Sequence, residues 1–261
     1  MKLAELTWAE VDQLDRKTVV IAQFGAMEQH GLHMPMNTDA LIGQSIAERL
    51  DQSLDGRLLL LPTQWLGLST HHMKFPGTLT VSPETFIAMA FEIVSSIASA
   101  GFTNILILNS HGGNAAALDV TVTKCKMKFP KHRLVNVTYW NAAAAELASL
   151  RSSKLGGMGH ACELETSLVL AQDERLVKKD WIAADGKWPS SSFFAKDMLK
   201  GGAASFALTF DEMSTSGTVG DPRTASAEKG LQFFSVIVDK LNGIIRLMES
   251  DEIDQFLPVS G

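Results

Sequence analysis

The sequence has little cysteine. It holds two, Cys125 and Cys162, in 261 residues, too few for a disulfide framework. That usage suits a reducing compartment. Basic residues are not in excess: 23 Lys and Arg stand against 29 Asp and Glu, a net charge of -6. No basic stripe is available, so nucleic acid is not an expected partner. Although 46% of the residues are apolar, no apolar run approaches the roughly 18 residues of a membrane span. The start, MKLAELTWAEVDQL, scatters charges where a signal peptide would have an apolar core, so none is expected. Internal repeats and low-complexity tracts are also missing. These exclusions predict a soluble, cytoplasmic protein without membrane partners. A chain of this size can bury about three quarters of its unfolded surface, and one domain over residues 1–261 is expected.

The residues that are present alternate between two periods. Thr18 to Phe24 (TVVIAQF), Arg57 to Pro62 (RLLLLP), Asn104 to Leu108 (NILIL) and Leu134 to Thr138 (LVNVT) read as buried strands. Between them, Thr38 to Leu50 reads as a helix that Thr38 can cap and whose positive end suits Asp39. Ser82-Pro83-Glu84 is a helix-start signature, and Gly101 ends that helix after Ala100. A further helix runs to Lys128 and another starts near Ala161. Asp221-Pro222 reads as the opening of a final helix through Met248. Residues 186–215 have weak periodicity and read as loop. Strands alternating with helices predict an α/β fold, with a mainly parallel sheet covered on both faces. Ligands of such sheets bind beyond the carboxyl ends of the strands.

Two loops at that edge carry unusual residues. After the first strand comes GAMEQHGLHMPMNTD, with Glu28, His30, His33 and Asp39; after the third comes NSHGGN, with His111, Gly112 and Gly113. Glu28 and His30 are two apart in an irregular loop, so both can enter one cavity. Carboxylate oxygens with imidazole nitrogens suit Zn²⁺, Mn²⁺ or Fe²⁺ better than Ca²⁺. Taken singly, each residue has a plain structural explanation: a turn cap, a core histidine, a helix-dipole partner. Taken together beside an apolar strand end, they do not. Gly112 and Gly113 also permit a phosphate cradle at a helix start, but neither the GxGxxG spacing nor a Walker lysine is present. A third cluster, His160-Ala161-Cys162-Glu163-Leu164-Glu165-Thr166-Ser167, opens a helix with early acids, as the macrodipole favours. Cys162 lies near His160 but has no oxyanion motif, and is not expected to be a nucleophile. His71 or His72 could line a site, with no partner evident from sequence.

GAMEQHGLHMPMNTD, FPGTLTVSPETF, NSHGGN, HACELETS and GDPRTASAEKG, in this order, resemble the creatininase (creatinine amidohydrolase) family. The resemblance extends from TWAEV to the final helix. It implies a three-layer α/β/α sandwich, two divalent metal ions, hydrolysis of a small-molecule amide or related bond, and a homohexamer. Apolar residues within Met198 to Phe210 are consistent with an oligomer. By position, Glu28, His30, Asp39 and His111 match the family's metal ligands, Asp39 matches the bridging carboxylate, and His160 matches the histidine that handles protons. Creatininase has a Glu where this chain has Gly113, and a Trp where it has Gly156. Much of the wider family supplies the missing ligand from a His-Ala-Gly-Glu motif, which here reads His160-Ala161-Cys162-Glu163.

Residues two apart on a helix point about 200° apart, so Glu163 and Glu165 cannot both reach one cavity. Glu163 matches the replacement ligand and is expected on a metal. Glu165 is expected to face away or to orient a ligand. His33, Gly112 and Gly113 are expected to contact substrate or support the ligands. The expected activity is metal-dependent hydrolysis of a small-molecule (cyclic) amide C–N bond, not of creatinine itself. The alternatives are a cyclic ketone or sugar-derived ring, a formamide, or a non-catalytic metal- or nucleotide-binding role.

Overall fold

The computed structural model describes residues 1–189, 191–195 and 197–256. Four strands, β1 (Val19–Phe24), β2 (Leu59–Leu60), β3 (Asn104–Asn109) and β4 (Arg133–Thr138), form a sheet in the order β2-β1-β3-β4. Every pairing is parallel, with Val20 opposite Leu59, Ile21 opposite Leu106 and Leu106 opposite Val135. Five main helices cover it: α1 (Thr38–Ser53), α2 (Pro83–Ser99), α3 (Ala115–Lys128), α4 (Glu163–Gln172) and α5 (Ala227–Glu249). Strand residues alternate between two cores, as a period of two requires. Ile21, Leu106 and Leu108 pack with Ile46 of α1, Leu168 of α4 and Ile237 of α5. Val20, Ala22, Ile105 and Ile107 pack with Phe86 and Val94 of α2 and Leu118 of α3. The result is a three-layer α/β/α sandwich. Burying each large side chain contributes about 1.5–3 kcal/mol, so both faces of every central strand are committed.

Local differences from the sequence expectation have identifiable causes. The second ladder is short, but Leu61 still donates to the Ile21 carbonyl. Thr38 is the first residue of α1 rather than its cap, and its hydroxyl donates to the Pro35 carbonyl. Pro222 does not open the final helix. Pro222–Thr224 is a single 3-10 turn capped by Asp221, Ala225 is extended, and Ser226 then caps α5 through the Lys229 N–H. The helix expected near Ala161 begins at Glu163, because Ala161 has φ +54 and cannot enter a right-handed helix. The described residues of 186–215 form no regular element apart from a short helix at Phe210–Met213, with isolated bridges Phe194–Ala204 and Asp197–Lys200.

β1 and β3 are adjacent, yet the chain leaves β1 toward β2 on one side and reaches β4 from β3 on the other. This is a topological switch point, where the connections diverge and open a crevice at the carboxyl ends of the strands. The loops carrying Glu28 and His111 both start there.

The packing of α5 on α4 predicts opposite outcomes for two glycines in one helix. A Cβ at Gly230 would lie 1.9 Å from the Ser167 carbonyl oxygen, whereas one at Gly243 would meet nothing within 4 Å. Gly243→Ala should stabilise the fold by up to about 1 kcal/mol through helix propensity. Gly230→Ala should destabilise it by about 1–3 kcal/mol or more, because overpacking outweighs propensity. Urea unfolding of the two variants checks the sign of each.

Candidate metal centre

Three buried carboxylates and four buried imidazoles meet at the switch point, with the half-buried His71 beside Glu28 and His111. Glu28 and His30 come from the loop after β1, Asp39 from the first turn of α1, and His111 from the residues after β3. His72 comes from the 3-10 turn Thr70–His72, and His160 and Glu165 flank the start of α4. All seven are buried. Asp39 spans the group: Oδ1 is 3.2 Å from His30 Nε2, and Oδ2 is 2.9 Å from His111 Nδ1. Glu28 Oε2 is 3.3 Å from His111 Nε2, and its Oε1 is 3.1 Å from His72 Nε2 and 3.7 Å from His160 Nδ1. Glu165 Oε1 is 4.0 Å from His30 Nε2. One carboxylate thus lies between two groups of possible ligands, His30 with Glu165 and His111 with Glu28.

The expected assignment of Glu163 and Glu165 is corrected by this geometry. Glu163 is buried, but its carboxylate accepts the Ser152 and Ser153 N–H groups at 2.8 Å each and pairs with the Lys229 ammonium from α5. It is fully engaged outside the cluster, and Glu165 takes the inward face. The helical argument that only one of the two can enter holds; the rotation of α4 chooses the other one. Glu165 also accepts the Cys162 N–H at 3.4 Å, closing the start of the helix. His33 does not line the cavity. It is buried with Nε2 3.0 Å from the Thr166 hydroxyl of α4. Gly112 and Gly113 do line the cavity. A Cβ at Gly113 would lie 2.2 Å from the Leu68 carbonyl oxygen, so no side chain fits there without a backbone shift.

Beside the expected residues stand His71 and His72, for which the sequence shows no partner, and Trp140, Trp188, Met198 and Phe210, for which it suggests no place in the site. The cavity beside the cluster has a volume of about 180 Å³ and is walled by Trp140, Trp188, Met198 and Phe210. The Phe210 ring stacks on His72 at 4.0 Å and meets His160 at 4.5 Å. Trp188 donates its indole N–H to the Gly156 carbonyl, which brings an aromatic ring beside that glycine from a distant segment. Asp197 holds the segment in place by accepting from Arg151 and from the Gly156 N–H. Met198 and Phe210 therefore turn inward, while Phe206 is exposed. The doubled His71-His72 was the one visible signal. Cys162 is buried and burial pushes its thiol up, as an inert core cysteine requires.

Burial raises Glu28 and Glu165 to about 7 each, against the pull of neighbouring imidazoles. Burial also opposes charge on His30 and His111. Asp39 beside His30, and Glu28 with Asp39 beside His111, override it and raise these rings to about 10 and about 9. Burial would raise Asp39 too, but His30 and His111 hold it well below the carboxylate range. His72 and His160 are held well below the ordinary histidine value by burial and by neighbouring imidazoles. Both oxygens of Glu28, Oδ2 of Asp39 and Nε2 of His72 are buried without a hydrogen bond of usable angle. Such atoms are costly unless something else satisfies them. Divalent cations fit this donor set of imidazole nitrogens and carboxylate oxygens.

Two outcomes follow. Glu165→Gln should weaken metal uptake and cut turnover by about 10²-fold or more, the scale of losing one preorganised electrostatic group. Glu163→Gln should keep metal uptake but cost about 3 kcal/mol of stability, the lower end for a buried pair losing one partner. Elemental analysis and urea unfolding of both variants separate the two roles. The second outcome concerns pH. Raised values on Glu28, Glu165, His30 and His111 mean that the folded chain holds protons the unfolded chain has lost, so stability falls as pH rises. The lowered histidines, His33 and His71 at about 4 among them, act in the opposite direction only below 6.5. Glu28 and Glu165 lose their contribution between about pH 4.5 and 7, and His30 and His111 lose theirs above about 6.5. Chelator-treated protein should therefore lose thermal stability from about pH 7 to about pH 9 through the two histidines. Added zinc should remove that fall, since the deprotonated groups are the ones that bind it. Melting curves across this range, with and without zinc, check it.

The comparisons with known proteins agree with this architecture. The chain matches the creatininase family, described as creatinine amidohydrolase, over residues 4–245. It is 27% identical over 227 residues to the mycofactocin precursor peptide peptidase of Mycobacterium ulcerans (strain Agy99), covering 84% of this chain and 81% of that one. It is 25% identical over 260 residues to the creatinine amidohydrolase of Pseudomonas putida, covering 94% and 95%. A solved manganese form of creatininase superimposes with a TM-score of 0.78 at 25% identity, covering 94% of this chain and 97% of that one. With the family match spanning most of its length and the same fold in the solved relative, the chain belongs to the creatininase family.

Proposed function

We propose that this protein is a two-metal hydrolase that cleaves an amide C–N bond, cyclic or linear, in a substrate other than creatinine. The observation that carries this reading is the buried cluster itself, in which Asp39 presents one oxygen to His30 and the other to His111. His30, Asp39 and Glu165 would hold one cation, and Glu28, Asp39 and His111 the other. Bound there, divalent cations polarise a carbonyl and activate water at neutral pH. The chain's own groups do the rest. His160 Nε2 lies 2.7 Å from the Gln29 carbonyl, so it carries the proton and leaves Nδ1 as the base facing Glu28. That nitrogen accepts a proton from the attacking water and returns it to the departing nitrogen. Such transfers contribute typically about 10²–10⁴-fold.

Creatinine is disfavoured by two positions. Gly113 has no room for the carboxylate that the resemblance puts there, and Trp188 rather than a residue at 156 supplies the ring. The cavity of about 180 Å³ admits a small ring or one end of a chain. The peptidase relative supports a linear amide. A phosphate cradle at His111-Gly112-Gly113 is disfavoured because Glu28 and Asp39 stand beside it and repel anions.

Protein reloaded with zinc or manganese should contain about two ions per chain, and Asp39→Ala should lose both. Such protein should hydrolyse members of a panel of cyclic amides, formamides and short peptides. Failure to take up metal, or turnover of cyclic ketones alone, would overturn the amide hydrolase reading.

A further inference from the structure

Four buried imidazoles face the cluster beside the half-buried His71, and the outward nitrogens of the four divide them into two kinds. His30 Nδ1 is 3.2 Å from the Glu28 carbonyl, His111 Nε2 is 2.9 Å from the Leu68 carbonyl, and His160 Nε2 is 2.7 Å from the Gln29 carbonyl. A carbonyl only accepts, so each of these outward nitrogens bears a proton. In the neutral ring the inward nitrogen then offers a lone pair, as a ligand or base must.

His72 is the exception. Its outward Nδ1 lies 2.8 Å from Gln29 Nε2. Two backbone groups of known polarity fix the Gln29 carboxamide: Oε1 accepts the Gly31 N–H at 2.8 Å, and Nε2 donates to the Gly217 carbonyl at 3.1 Å. The nitrogen beside His72 is therefore the amide NH₂, and it donates. His160 Nε2 is 3.1 Å from the same nitrogen, but its proton is already given to the Gln29 carbonyl, so it does not compete as an acceptor. His72 must accept at Nδ1 and carry its proton at Nε2. That Nε2 is buried and has no hydrogen bond: Glu28 Oε1 is 3.1 Å away but off the N–H axis. The ring lines the cavity, clamped by Phe210 on one face.

We propose that His72 is a neutral hydrogen-bond donor to the substrate's carbonyl oxygen, not a metal ligand, and that Gln29 is the positioning residue that sets its tautomer. The proposal rests on the hydrolase reading above. As water oxygen bonds to the carbonyl carbon, the C=O π pair moves onto oxygen and the His72 Nε2–H stabilises it without transferring its proton. When the C–N bond breaks, that pair re-forms the carbonyl and the leaving nitrogen takes the proton held at His160. The opposing assignment is concrete, because Glu28, His72 and His160 could also converge on one cation.

Long-range ¹H–¹⁵N NMR of histidine-labelled protein, with His72 identified from the His72→Gln spectrum, reads the tautomer directly. The expected result is a neutral ring protonated at Nε2 in the metal-free protein and unchanged by zinc. A ring protonated at Nδ1, or an Nε2 signal shifted by zinc coordination, would overturn the proposal. In kinetics on a turned-over amide, His72→Ala should lower kcat about 10²–10³-fold with KM little changed. His72→Gln, which keeps an N–H, should recover most of that loss, and zinc content should equal wild type in both. Equal losses in the two variants, or loss of an ion in either, would contradict the donor role. A wild-type protein that takes up no zinc would overturn the hydrolase reading and the donor role with it. The metal-free spectrum would still decide the Gln29–His72 arrangement separately.

Discussion

The constraint on which the site depends is the burial of three carboxylates within reach of one another. Glu28, Asp39 and Glu165 are each at most 5% exposed. Like charges in a poorly solvated interior repel strongly, and each must be neutralised, protonated or paired. The chain surrounds them with imidazoles, raising His30 and His111 and lowering Asp39. Even so, several inward oxygens have no hydrogen-bond partner. A centre that binds divalent cations is the arrangement that satisfies all of them. Ala161, between His160 and the helix bearing Glu165, adopts a positive φ of 54° that is costly for a residue other than glycine.

The fold brings these groups together by simple means. A parallel sheet whose connections diverge between β1 and β3 leaves a crevice at one edge. The two strands deliver Glu28, His30 and His111 to that edge, and the first turn of α1 adds Asp39. Helix α4, pinned against α5, adds Glu165. The pin is partly Glu163 itself, whose carboxylate ties the 152–153 backbone to Lys229. The adjacent acid thus fixes the rotation that lets Glu165 enter. The segment carrying Trp188, Met198 and Phe210 closes the cavity and sets its size.

Much of this was legible from the residues. Alternating strand and helix periods disclosed the layers, and Glu28, His30, Asp39 and His111 were conspicuous because strand-end loops do not need them to fold. The choice between Glu163 and Glu165 was not legible. It depends on a salt bridge to a lysine 66 positions away, which no local pattern records. His72 was equally hidden, since its role follows from contacts with Gln29 and Phe210 across separate loops. Trp188, Met198 and Phe210 follow no period that a sequence could show, because side-chain anchors such as Asp197 help to position them. The break before α5 turned on which of two nearby residues, Asp221 or Ser226, capped the long helix.

Anomalous diffraction at the zinc edge, from crystals of the zinc-loaded protein, tests the central claim most directly. Two peaks about 3.5–4 Å apart with Asp39 between them are expected. One should be bonded to His30 and Glu165 and the other to Glu28 and His111, at about 2.0–2.2 Å. No peak within the cluster, or a zinc bonded to Glu163 with Glu165 turned away, would contradict it.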